Sequence, residues 1–101
     1  MIRHTVVFRL KHARESVLEK SFLQAARALA LIPTVQRFEC LRQVSPKNSF
    51  HFGLSMEFSS QQDYEAYNNH PEHVRFVESR WKVEVEDFLE IDYVPFAANE
   101  T

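Results

Sequence analysis

Side chains alternate strictly from Ile2 to Leu10, with Ile2, His4, Val6, Phe8 and Leu10 on one side and Arg3, Thr5, Val7 and Arg9 on the other. A period of two sustained over this length specifies a strand, and it sets His4 in line with four apolar side chains. The period then changes. From Ser16 to Leu31, the recurrence of Leu18, Phe22, Ala25, Ala26 and Leu29 predicts a helix with one buried stripe. Ser16 and Glu19 have the spacing of a capping box, in which each side chain serves an orphan amide of the first turn. Pro33 ends the helix, because its ring pushes Ile32 out of helical angles.

A second strand is predicted over Val35 to Val44, with Phe38, Cys40 and Val44 sharing a face. The polar stretch Ser45 to Ser49, around Pro46, reads as a turn. Phe50 to Phe58 alternates again, with Phe50, Phe52, Leu54, Met56 and Phe58 facing one way and His51, Gly53, Ser55 and Glu57 the other. These two strands should pair as a hairpin. Ser60 suits the cap of a helix over Gln61 to Asn68. Pro71 suits the first position of the next helix, where its missing N–H costs nothing. That helix is expected to reach about Val85 and to bury Val74, Val77, Trp81 and Val85. A last strand covers Phe88 to Val94. Its pattern leaves the inward face open between Leu89, Ile91 and Tyr93 and the alternate set Phe88, Glu90, Asp92 and Val94.

The order β-α-β-β-α-α-β predicts an α+β fold of the ferredoxin-like type, a four-stranded antiparallel sheet with helices on one face. One domain over residues 1–97 with a C-terminal tail at 98–101 is expected. The uncovered face would carry Thr5, Val7, Arg9, Leu41, Gly53 and Ser55. A half-apolar face of this kind suits a second sheet, so a homodimer through the sheet face is expected.

Composition narrows the partners. With 12 basic and 14 acidic residues the formal charge is -2, which argues against nucleic acid or a membrane surface as partner. The short basic run from Arg9 to Arg14 reads as a solvated connection. One cysteine, Cys40, excludes an internal disulfide; on an apolar strand face it reads as a shielded core thiol, not a nucleophile. No signal-peptide core follows Met1, and no run approaches the ~20 apolar residues that span a bilayer, so a cytoplasmic location is expected. The single glycine, Gly53, cannot build a phosphate-cradling loop, and no cofactor is expected.

The segments IRHTVVFRL, LALIPTVQRFECLRQVSP, FHFGLSMEF, DYEAYNNHPEHVRFV and FLEIDYVPF, taken in this order, resemble the stress-responsive α/β-barrel (Dabb) family. The most specific part is Tyr67 followed by His70, Pro71 and His73, together with His4 on the first strand. The resemblance covers nearly the whole chain. It implies a protomer that dimerises sheet to sheet into an α/β barrel. In the family's polyketide cyclases the matching tyrosine and second histidine work in a pocket between sheet and helices. Carried over, those residues are Tyr67 and His73, with His4 lining the same pocket. The chain departs from the cyclase pattern at Asn68 and Asn69, and carries Glu90 or Asp92 near the pocket side of the last strand. Both changes argue against a greasy, polyketide-like substrate.

The chemistry open to these residues follows from their places. His73 falls in the first turn of a helix, where the positive helix end disfavours the imidazolium. A neutral imidazole there serves as a general base near pH 7, and a nearby Tyr67 hydroxyl would hold the enolate formed beside a carbonyl. The plainer alternatives are that His73 satisfies backbone groups at the helix junction, that His4 is a hydrogen-bonded core residue, and that Tyr67 is packing. His70 and His73 have a chelating spacing, but Pro71 breaks the turn between them and no third ligand has motif spacing. No metal is therefore expected, and His70 is expected to cap the helix through its backbone. Phe22, Phe52, Phe58, Phe76 and Trp81 would line either a small-molecule pocket or an ordinary core. Three functions remain open: an acid–base (cyclase- or lyase-like) enzyme acting on a small carbonyl-containing or aromatic molecule, a non-catalytic binding or stress-associated scaffold, and, by fold analogy alone, a cofactor-free monooxygenase-like barrel.

Overall fold

The computed structural model describes residues 1–97, so the expected tail at 98–101 lies outside the described residues. Four strands form one antiparallel sheet: β1 (Ile2–Leu10), β2 (Gln36–Arg42), β3 (Phe52–Phe58) and β4 (Val85–Tyr93), in the spatial order β2-β3-β1-β4. The helices are α1 (Val17–Arg27), continued by a 3₁₀ turn over Ala28–Leu31, then α2 (Gln61–Asn69) and α3 (Pro71–Phe76). A π-helical segment, Val77–Trp81, and a final turn, α4 (Lys82–Glu84), extend α3 to the start of β4. This is the ferredoxin-like arrangement expected from the chain order.

The alternation in β1 translates directly into the core. His4, Val6, Phe8 and Leu10 are buried, while Arg3, Thr5, Val7 and Arg9 alternate with them on the opposite face. Across the β1–β3 ladder, Val6 faces Leu54 and Phe8 faces Phe52, so like faces meet. On the other side, Phe8 faces Phe88, Val6 faces Glu90 and His4 faces Asp92. That register settles the inward side of β4: Phe88, Glu90 and Asp92 lie on the helix side, and Leu89, Ile91 and Tyr93 on the uncovered side with Thr5, Val7 and Leu41. The uncovered face is therefore more apolar than the strand pattern alone indicates.

Several boundaries shift for identifiable reasons. Ser16 caps α1 by accepting from the Glu19 amide, but the Glu19 carboxylate turns to the N–H of Glu15, a residue at φ 63, instead of Ser16. Glu19 is thereby buried, and Leu18, placed in the buried stripe by its spacing, is exposed. Val44 lies beyond the end of β2 and is exposed. Phe50 precedes β3, its N–H bound to the Asn48 side chain in the turn. The wide π turn rotates the helix after Phe76, so Phe76 is buried and Val74, expected in the core, is exposed. The last strand begins at Val85, ahead of the expected Phe88, because β1 pairs with β4 from Val85 onward.

Ser60 caps α2, its hydroxyl accepting from the Asp63 amide at 3.1 Å. Because α2 carries Tyr64 and Tyr67, this exposed cap supports the site. Ser60→Ala will cost about 1 kcal/mol, read as a lower denaturant midpoint at unchanged slope. A change within experimental error would show that packing alone holds the helix.

Candidate functional site

A cleft of about 550 Å³ opens between the helix-covered face of the sheet and the helices packed on it. Its floor is Val6 from β1 with Leu54 and Met56 from β3, backed by Leu29. Tyr67 and Asn68 enter from α2, His73 and Phe76 from α3, and Val77 and Trp81 from the π turn. His4, Phe88 and Glu90 close the strand side, and Lys82, Glu86 and Asp87 stand at the rim. Val77 and Trp81, four apart at the two ends of the π segment, both reach the cavity wall.

His73 is placed by the helix junction. Pro71 starts α3, and His70 caps it with its ring: Nδ1 accepts from the Glu72 amide at 3.1 Å. The cap is thus made by the side chain, where the sequence suggested the backbone. One turn on, His73 Nδ1 lies 3.0 Å from the Asn68 carbonyl. A carbonyl oxygen only accepts, so Nδ1 carries the proton and Nε2 keeps a free lone pair. Burial lowers the pKa of His73 below its usual 6.5, with the Asn68 hydrogen bond pulling the other way and His4 adding to the fall. The Tyr67 ring sits 4.3 Å from the His73 ring, centroid to centroid, and 6.2 Å from that of His4. Burial, reinforced by the charge of Glu90, pushes the Tyr67 phenol above its ordinary pKa and keeps it protonated.

His4 belongs to a second cluster at the strand end of the cleft. Its Nδ1 lies 2.6 Å from Asp92 Oδ1 and 2.8 Å from the Tyr64 hydroxyl. Tyr64 also reaches Asp92 Oδ2 at 2.8 Å and Glu90 Oε1 at 3.2 Å. Burial first, then its hydrogen bond to Asp92 and the charges of Asp92 and Glu90, drive the Tyr64 phenol strongly upward in pKa. A carboxylate only accepts, so Nδ1 carries a proton given to Asp92, and His4 itself lines the cavity.

Four of the residues singled out from sequence, together with Tyr67, therefore meet at one cleft: His4, His73, Phe76 and Trp81. Phe22 and Phe52 do not. Phe22 is fully buried among Phe8, Phe76 and Trp81. Phe52 packs on Phe8 with the guanidinium groups of Arg14 and Arg42 near its ring, away from the cavity. Phe58 stacks on Tyr64 behind the cleft wall, 4.9 Å between centroids and 4° between planes. Cys40 is half-buried and its thiol pKa is raised by burial, in keeping with a core role. Tyr64, which the sequence reading does not single out, bonds to His4, Glu90 and Asp92 beside the cleft. It precedes Tyr67 by about one helical turn, and that spacing is the available signal.

The family model described as the stress responsive A/B barrel domain matches residues 2–95. A dabb family protein from Mesorhizobium loti with a ferredoxin-like fold is 60% identical, with a TM-score of 0.92 over 95% of this chain and 97% of that one. A dimeric ferredoxin-like protein of unknown function from Bacteroides fragilis is 26% identical, with a TM-score of 0.69 over 91% of this chain and 93% of that one. A stress-response A/B barrel domain-containing protein of Arabidopsis thaliana is 27% identical over 93% of this chain, which spans only 36% of that relative's length. Among the described residues no helix is long and apolar enough to cross a membrane. The chain belongs to the stress responsive A/B barrel domain family.

Proposed function

We propose that this member of the stress responsive A/B barrel family binds a small carbonyl-containing or aromatic molecule in the cleft and acts on it by acid–base chemistry. The observation that carries this reading is the meeting of His73, Tyr67 and His4 on the walls of one cavity with an apolar floor. His73 Nε2 takes a proton from the carbon next to a carbonyl. The electron pair moves onto the carbonyl oxygen, and the Tyr67 O–H holds the resulting enolate by a hydrogen bond. The same proton is available for return. Asn68, through its carbonyl, fixes the tautomer this requires.

The test is exchange of the acidic C–H of acetylacetone and of aryl ketone probes in heavy water, followed by proton NMR. The wild-type chain is expected to accelerate exchange over buffer. His73→Ala will remove about 10²–10⁴-fold of that acceleration, while Tyr67→Phe will remove less. The pH profile carries a signature of its own. Burial disfavours the imidazolium, so activity should hold down through the ordinary histidine value of 6.5 and fall only below it. The groups facing His73 are His4 from β1, Glu90 from β4, Tyr67 from α2 and His70 at the junction. Probes bound without accelerated exchange, with His73→Ala unchanged, would leave binding without turnover as the function. The hydrogen bonds that tie His4 to Asp92 and Tyr64 favour that second reading.

The active unit is a homodimer closed through the uncovered sheet face. Leu41, Leu89, Ile91 and Tyr93 are exposed there in the isolated chain, and the Bacteroides fragilis neighbour is described as dimeric. A lone, half-buried thiol and the absence of any disulfide requirement suit a reducing, cytoplasmic setting.

A further inference from the structure

The carboxylates of this sheet are paired with arginine wherever they cluster, with one exception. Glu57 meets both Arg3 and Arg37, and Glu86 and Asp87 share Arg9. Glu90 and Asp92, two residues apart on the inward face of β4, meet only His4 among the described cationic side chains. Through its Nδ1 the imidazole offers them a single hydrogen-bond donor. The Tyr64 hydroxyl offers one more proton, yet three carboxylate oxygens converge on these two donors: Asp92 Oδ1, Asp92 Oδ2 and Glu90 Oε1. Among the described residues, the protein has thus gathered two carboxylates at the edge of a cleft without the arginine it supplies elsewhere on the same sheet.

The shape of the cluster matches what would supply that charge. One ligand atom each from His4, Glu90 and Asp92 lie within 4.8 Å of one another, a spread that a single ion with bonds of about 2.0–2.2 Å draws together. His4 is 93% buried by its neighbours, since only 7% of its surface is exposed, so its ring is held in place rather than recruited. Glu90 and Asp92 are more open, which gives an ion a route in from solvent. We propose that His4, Glu90 and Asp92 form a site for a divalent transition-metal cation, with the Tyr64 hydroxyl bonded to its carboxylate ligands as an outer support.

The imidazole favours a borderline ion such as Zn²⁺, and the two carboxylates also suit the harder Mn²⁺; Ca²⁺ and Mg²⁺ prefer all-oxygen sets. Occupancy has a consequence for the cleft. An ion on Nδ1 leaves the ring proton of His4 on Nε2, so the ring is then a hydrogen-bond donor through that nitrogen. The site is distinct from the proposed base, His73, whose ring is fixed by Asn68.

The experiment is calorimetric titration of the full, chelator-treated chain with ZnCl₂ and with MnCl₂, alongside Asp92→Asn and Glu90→Gln. One ion per chain is expected, with affinity falling about tenfold or more in each variant. Both variants lie on partly exposed strand positions and should melt like the wild type in chelator. Should either fail to fold, Mn²⁺ broadening of wild-type NMR signals answers instead: broadening centred on His4, Tyr64, Glu90 and Asp92 supports the site. Absence of binding by both ions at millimolar concentration overturns the proposal. So does affinity unchanged in both variants, or broadening centred on other histidines.

Discussion

Phe8→Ala will lower the stability of the chain by about 3–5 kcal/mol, the loss of a transferred aromatic ring plus the hole it leaves. Phe8 sits toward the C-terminal end of β1, an interior strand, with no exposed surface. Its ring meets Phe22 at 5.7 Å, Phe52 at 5.9 Å and Trp81 at 5.1 Å between centroids. It therefore joins both neighbouring strands, α1 and the π turn in one knot. Domains of this size are stable by only about 5–15 kcal/mol, so the variant should sit near the edge of folding at 37 °C. Urea unfolding checks this directly: the midpoint should drop with the slope preserved. A loss below about 1 kcal/mol would mean the knot is not where the cooperative core lies.

Aspartate at both 89 and 91 should split the proposed dimer. Leu89 and Ile91 stand two apart on the uncovered side of β4, beside Val7 and Thr5 of β1. Against a second sheet, each introduced carboxylate would be stripped of water with no partner, a cost of several kcal/mol per group. In the isolated chain both positions face solvent and tolerate the change. Light scattering should therefore give a mass near 24 kDa for the wild type, twice the 11.9 kDa chain, and near one chain mass for Leu89→Asp/Ile91→Asp, with the circular dichroism of a folded protein in both. A wild-type mass of one chain would remove the dimer outright.

Much of this architecture was legible in the residues because the signals were redundant. In β1 and β3 the alternation is strict and the inward sides are large and apolar, so the buried face follows. Ser16, Ser60 and Pro71 marked helix starts through side chains with specific hydrogen-bonding or φ requirements. β4 was unreadable for a physical reason: its inward side carries Glu90 and Asp92 while its outward side carries Leu89 and Ile91. A rule that puts apolar groups inside fails when the inside borders a polar site and the outside awaits a partner. The π turn was equally invisible, since an extra residue in one turn leaves no mark on a 3.6-residue pattern beyond the exchange of Val74 for Phe76.

The site was legible in its members and not in its wiring. The motif singled out Tyr67, His73 and His4, and the fold sets all three around the cleft. What spacing could not show is that Asn68 acts through its backbone carbonyl, or that Tyr64 bridges α2 to both acids of β4. Phe22 and Phe52 illustrate the reverse error. Aromatic character marks burial, and burial alone does not separate a cavity wall from the packing behind it.

The irregular pairing of β2 with β3 between Gln36 and Glu39, with Arg37 at φ 50, falls on the outermost strand of the sheet. A kinked, charged border cannot template a straight ladder with a neighbouring molecule. Growth by lateral strand addition, the route to fibrils, is thereby disfavoured along that border.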